Sequence, residues 1–115
     1  MNDLGREINK LHSQICAALA DPKRICLLYL LKDSSATVKQ LTHALQVPQP
    51  TVSRHLKILR ERGLVQAKRS GQSMHYTLTY PRVIDALDIL RQVLAESLIK
   101  RQQLADKATQ SILED

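Results

Sequence analysis

Gln49-Pro50-Thr51-Val52-Ser53-Arg54-His55-Leu56-Lys57, QPTVSRHLK in one-letter code, sets a thin apolar thread among small polar and basic residues. Val52, Leu56 and Leu59 recur at four and three residues, the spacing of one helix face, and Gly63 supplies a C-terminal stop. With that face inward, Thr51, Arg54, His55 and Ile58 are expected to point outward, and Gln49 and Pro50 to form the tip. Such a tip suits a DNA major groove. Gln can bond an adenine edge in two places, Arg a guanine edge, and Thr offers a hydroxyl or a methyl, while short side chains permit close approach.

Working outward, Val38, Leu41 and Leu45 mark a helix from Thr37 that ends near Gln46-Val47-Pro48. Helix, short turn, helix with a small polar start is a helix-turn-helix, here over residues 37–62. After Gly63 the period changes to two. Leu64 to Arg69 and Gln72 to Leu78, joined at Ser70-Gly71, predict a β-hairpin with Met74, Tyr76 and Leu78 on one face. A hairpin at 64–79 directly after the second helix makes a wing. Arg54, Lys57, Arg60, Arg62, Lys68 and Arg69 stand there against a single acid, Glu61, and form a phosphate-gripping collar. Candidate DNA contacts are Thr37, Gln49, Pro50, Thr51, Ser53, Arg54, His55, Lys57 and Arg60 from the helices, and Lys68, Arg69 and Gln72 from the wing. A merely solvated basic face is the bland alternative, but basic cluster, turn and hairpin fall together in the order a winged helix requires.

The flanks are helical. Leu4, Ile8, Leu11, Ile15 and Leu19 share one face of a helix over residues 1–20, which Asp21-Pro22 stops while starting the next. Ile25, Leu27, Leu28, Leu30 and Leu31 are apolar nearly all round, as in a central buried helix. Pro81 opens a final helix, 81–113, with Val83, Leu87, Leu90, Leu94 and Leu98 on one side. The expected fold is a single mainly α domain with a small β-hairpin, a winged helix-turn-helix.

Composition agrees. The 115 residues carry a formal charge of +6, which favours a polyanionic partner. Aromatics are only 3%, too few for a base-stacking platform of the single-strand-binding kind, whereas the major-groove tip suits double-stranded DNA. No apolar run approaches the roughly 18 to 20 residues that would span a membrane, and the N-terminus lacks the apolar core of a signal peptide, so a cytoplasmic location is expected. Its two cysteines are then expected to be reduced at rest. Three glycines and isolated serines assemble neither a phosphate loop nor a nucleophile-base-oxyanion arrangement, so no enzyme is expected.

Three blocks, CAALADPKRICLLYLL, VPQPTVSRHLKILRERGLV and KRSGQSMHYTL, together resemble the ArsR-type (ArsR/SmtB-like) repressors over roughly residues 11 to 95. The resemblance implies a small homodimer that releases inverted-repeat operator DNA when an inducer is sensed, with the first and last helices forming the dimer interface. Those helices carry apolar stripes too long for one small core to absorb, although Leu90, Leu94 and Leu98 could instead pack within one protomer.

The family's sensing sites do not carry over. Where its arsenic site has a Cys-x-Cys pair, this chain has Thr37-Val38-Lys39-Gln40-Leu41-Thr42. Where its zinc site pairs Asp with His on the final helix, this helix offers Asp85, Asp88 and Glu96 and no His. Carboxylates alone suit zinc poorly.

Cys16 and Cys26 remain as thiol-sensor candidates, five residues to either side of Asp21. A sharp fold there brings the thiols together. A right-angle crossing leaves the Cα atoms about 10 Å apart, beyond disulfide reach. Lys23 and Arg24 supply positive charge beside Cys26. Both thiols could equally be small core residues. His12, four before Cys16, completes a candidate metal set of His12, Cys16 and Cys26 for a thiophilic metal or metalloid ion, the only cofactor in view. The combined reading is a DNA-binding repressor released by cysteine oxidation or a thiophilic ion. The alternatives are a metal sensor on those three residues, or a winged helix that docks an acidic protein and has no inducer. The small polar helix tip, without aromatic anchors, argues against the last.

Overall fold

The computed structural model describes residues 2–114. Helix α1, Asp3–Lys10, is capped by Asn2, whose side chain accepts from the Gly5 N–H at 2.7 Å. It widens into a π-helical segment, Leu11–Cys16, in which the Ala17 N–H reaches back five residues to the His12 carbonyl at 2.9 Å. The single helix expected over residues 1–20 is therefore shorter and changes its winding. Leu11, Ile15 and Leu19 recur at four and four, longer than the α-helical 3.6, so a wider turn keeps them on one side.

At Asp21 the chain turns. Its carboxylate accepts from the Lys23 N–H at 2.8 Å, Pro22 takes the first helical position, and α2 runs Pro22–Leu30. Helix α3, Val38–Leu45, begins with a reciprocal cap: the Thr37 hydroxyl accepts from the Gln40 N–H, and the Gln40 side chain accepts from the Thr37 N–H. It ends on Gln46, left-handed at φ 56°, whose side-chain amide donates to the His43 carbonyl at 2.7 Å. Helix α4, Gln49–Glu61, follows immediately. Gly63, at φ +78°, then reverses the chain into β1, where a side chain would be strained.

Strands β1, Val65–Ser70, and β2, Ser73–Leu78, pair antiparallel from Val65↔Leu78 to Ser70↔Ser73. The turn is Gly71-Gln72, one residue later than expected, with positive φ at Gly71 alone, the pattern of a type II′ hairpin. Ala36 and Tyr76 exchange backbone bonds of 3.1 and 2.8 Å, which fixes the wing to the residue before the α3 cap.

The chain divides into two compact units, one ending at Pro81 and the other beginning at Arg82. In the first, α2, α3, α4 and β1 pack on one another around Leu27, Leu28, Leu41, Val52, Leu56, Leu59 and Val65. Each fully buried leucine there contributes about 1.5–3 kcal/mol. Leu4, Ile8 and Leu11 are at least half exposed.

The second unit is α5, Arg82–Glu114, 33 residues and about 50 Å long. Ile84 and Leu87 are its buried residues. Leu90, Leu94 and Leu98 are 59, 58 and 53% exposed. Among the described residues no helix is long and apolar enough to cross a membrane.

Candidate nucleic-acid interface

Helix α4 enters the core through Val52, His55, Leu56 and Leu59. Its opposite face leaves Gln49, Pro50, Ser53, Arg54, Lys57 and Arg60 exposed, with Thr51 half-buried at the edge. The N-terminal end has no side-chain cap on Pro48 and no acid in its first turn. The positive end of the helix dipole is thus left for an anion from outside, beside the cations of Arg54 and Lys57. This face can approach a phosphate backbone and present Gln49, Thr51 and Arg54 to base edges.

One expectation about an individual side chain changes. His55 does not face outward: it is 5% exposed, on the core side of α4. Val52, His55, Leu56 and Leu59 follow the i, i+3, i+4, i+7 pattern of one helix face, so its position was written in the spacing. Its Nδ1 lies 3.3 Å from Arg24 Nη1, and its Nε2 lies 4.0 Å from the Asp21 carboxylate. Burial pushes its pKa below the usual 6.5, Asp21 opposes that, and Arg24, Arg54 and Lys23 reinforce it. Thr37 is half-buried and its hydroxyl oxygen accepts from the Gln40 N–H at 3.2 Å, so its first task is capping α3.

On the wing Lys68, Arg69 and Gln72 are exposed. Alternation along β1 puts Lys68 and Arg69 on opposite faces. Lys68 pairs across the hairpin with His75, and Gln66 with Thr77. Together with Ser35 these four line an open concavity, which Ala67, Arg69 and Ser70 also border. Gln66, His75 and Thr77 were not among the candidate DNA contacts, although the period of two that revealed the hairpin also puts Gln66 on the face of Lys68.

Cys16 and Cys26 are both free and exposed, so they are not core residues. His12 is exposed as well. Among the described residues no three His, Cys, Asp or Glu side chains are placed to hold a metal ion. His12, Cys16 and Cys26 of one protomer therefore do not fit a metal centre, because one helix face and a neighbouring helix do not bring the donors to one point. Nor is the Arg24 charge directed at Cys26: its guanidinium is spent on the Ala17 and Ala18 carbonyls and on His55. That role of Arg24 had no signal in the sequence, since its partners lie six, seven and 31 positions away.

Comparison with known proteins places this geometry. The family profile "bacterial regulatory protein, arsR family" matches residues 21–67, from the α2 cap through the start of β1. The HTH-type transcriptional repressor SmtB of Mycobacterium tuberculosis is 45% identical over 73 residues, 64% of this chain and 54% of SmtB. The chain thus spans about half the length of that curated relative. Rv0081 of M. tuberculosis, an uncharacterised HTH-type transcriptional regulator, is 33% identical over 93 residues, 80% of this chain and 82% of its own. Its crystal structure superposes with a TM-score of 0.73 over 82% of this chain and 95% of that one. The homodimeric winged helix-turn-helix DNA-binding domain of Mb0332 from Mycobacterium bovis, solved by NMR, gives 0.72 at 26% identity, covering 85% of this chain and 91% of that domain. Profile, relatives and superposition agree with the helix-turn-helix and wing described above, and the chain belongs to the ArsR family of bacterial regulatory proteins.

Proposed function

We propose that this chain is a sequence-specific DNA-binding transcriptional regulator, acting in the cytoplasm as a homodimer and carrying out no catalysis. The observation that carries the reading is the exposed face of α4: an uncapped N-terminus with Gln49, Pro50, Ser53, Arg54 and Lys57 outward, on a helix held by four buried residues. One such helix per protomer, related by a two-fold axis, reads an inverted repeat at half-sites about 34 Å apart. The exposed leucines of α1 and α5 are the faces a second copy would cover. Repression is the expected sense of regulation, supported by the name of the relative SmtB.

Release from DNA is assigned to a thiol-directed signal. Exposure of both Cys16 and Cys26 makes them available to oxidant or to a thiophilic ion bridging protomers, whereas a metal centre within one protomer lacks its donors. A signal of this kind acts only through differential affinity for the DNA-free state.

Selection of duplexes from a random pool by the purified protein tests the DNA reading. An enriched inverted repeat, bound roughly 10³-fold or more tightly than scrambled duplex at physiological salt, is the expected result. Enrichment of nothing, together with capture of an acidic protein through the same face, would replace it with the interaction-module reading.

A further inference from the structure

Apolar packing holds α4 against the core but does not fix its rotation, because burial is non-directional. Directional contacts do that. Arg62, at the end of α4, donates to the Ser13 carbonyl in the π-helical segment. Near the middle of the helix, Arg24 spreads its planar fork over three acceptors. Its Nε donates to the Ala18 carbonyl at 2.7 Å, its Nη2 to the Ala17 carbonyl at 3.2 Å, and its Nη1 faces His55 Nδ1 at 3.3 Å. Those carbonyls lie at the end of the N-terminal helical segment, and the Ala17 carbonyl also accepts from the Ala20 N–H at 3.3 Å.

We infer that Arg24 is a positioning residue for DNA recognition, fixing the rotation of α4 by tying buried His55 to the Ala17 and Ala18 carbonyls. The inference rests on the reading of α4 as the recognition helix and adds how that helix is aimed. Arginine is always a donor and has no acceptor, so His55 Nδ1 must accept and the ring proton must sit on Nε2, toward the Asp21 carboxylate. That carboxylate also caps α2. One imidazole thereby joins the recognition helix, the α2 start and the end of the N-terminal segment. A proton on Nδ1 would set N–H against N–H, and a ring protonated on both nitrogens would in addition set cation against cation. Burial is the main cause that keeps the ring neutral; of the charged groups acting on it, Asp21 from the α2 start opposes burial, and Arg24 and Lys23 from the same corner and Arg54 from α4 itself reinforce it.

Three variants and one spectrum test this. His55→Asn keeps an amide oxygen near the Nδ1 position, His55→Leu keeps bulk without an acceptor, and Arg24→Lys keeps charge without the fork. Affinity for a selected operator and for random duplex is measured for each, alongside the melting temperature. His55→Leu and Arg24→Lys are expected to lose roughly tenfold on operator and little on random DNA, because the basic collar is untouched. His55→Asn should stay within about twofold of wild type on both. Operator preference undiminished in His55→Leu, or an equal loss on both DNAs in step with melting, would overturn the inference. Independently of DNA, ¹⁵N NMR of the imidazole at neutral pH should report the proton on Nε2, and a proton on Nδ1 would remove the Arg24 bond itself. Wild type without operator preference, but with the Nε2 tautomer, would instead mean that the DNA reading is wrong and the tie only structural.

Discussion

His55 is where a single residue most alters the picture of this chain. Read as one of a row of polar side chains, it belongs outside; read with Val52, Leu56 and Leu59, it completes the inward face. Its burial gives folding a pH dependence of definite sign. The ring's folded pKa lies below its ordinary 6.5, so between those two values the unfolded chain binds more protons and folding weakens. The contribution is present in full above 6.5 and is lost as pH falls through the lowered folded value. Asp21, also lowered, from 3.8, acts in a separate and more acid window, present above 3.8 and lost below it. Urea midpoints are therefore expected to fall from pH 7 to pH 5 in the wild type and to stay nearly level in His55→Asn. An equal fall in both would place the titrating group elsewhere.

At the scale of elements, the helix-turn-helix and the wing were legible because their punctuation is local. Thr37 and Gln40 cap one helix, Pro48 starts the next, Gly63 ends it and Gly71 turns the hairpin, each within a few positions of what it controls. Gly63 sits at φ +78° with nothing within 4 Å of where a Cβ would lie. Gly63→Ala should thus cost about 1–2 kcal/mol through backbone strain alone, read from chemical denaturation. A neutral substitution would show that this junction relaxes. The π-helical widening at Leu11–Cys16 was barely legible, since no Pro or Gly marks it and its trace is the four-and-four spacing of Leu11, Ile15 and Leu19, which an ordinary helix face also tolerates. The Arg24 fork was hidden for the opposite reason. Its partners come together only when α2, α4 and the N-terminal segment have packed, and a sequence with one charged residue more or less at that corner looks the same. Likewise the thiols looked equally suited to core or surface, and packing decided for the surface.

For the whole molecule the apolar stripes matter most. The chain leaves Leu4 and Ile8 on α1, Leu11 in the π-helical segment, and Leu90, Leu94 and Leu98 on α5 half or more exposed, more than a lone small protein usually shows. Leu94→Asp should dissociate the proposed homodimer, seen by sedimentation, and abolish tight operator binding with it, because a charge there would have to be desolvated. An intact dimer would move the interface to another surface. The signal is tested on the same scale. Oxidant should lower operator affinity reversibly, and Cys16→Ser or Cys26→Ser should keep the protein on DNA. Normal release by both variants, under oxidant and under thiophilic metals alike, would leave the inducer to be sought elsewhere.

That α4 reads bases while the wing grips phosphate is tested most directly by one binding experiment, in which Arg54→Ala and Lys68→Ala are titrated against operator and random duplex across a salt series. Arg54→Ala is expected to lose about 1–3 kcal/mol on operator and relax preference at one base pair, whereas Lys68→Ala should weaken both DNAs alike and reduce the salt slope by about one. Equal losses on operator and random DNA for Arg54→Ala would contradict base reading by α4.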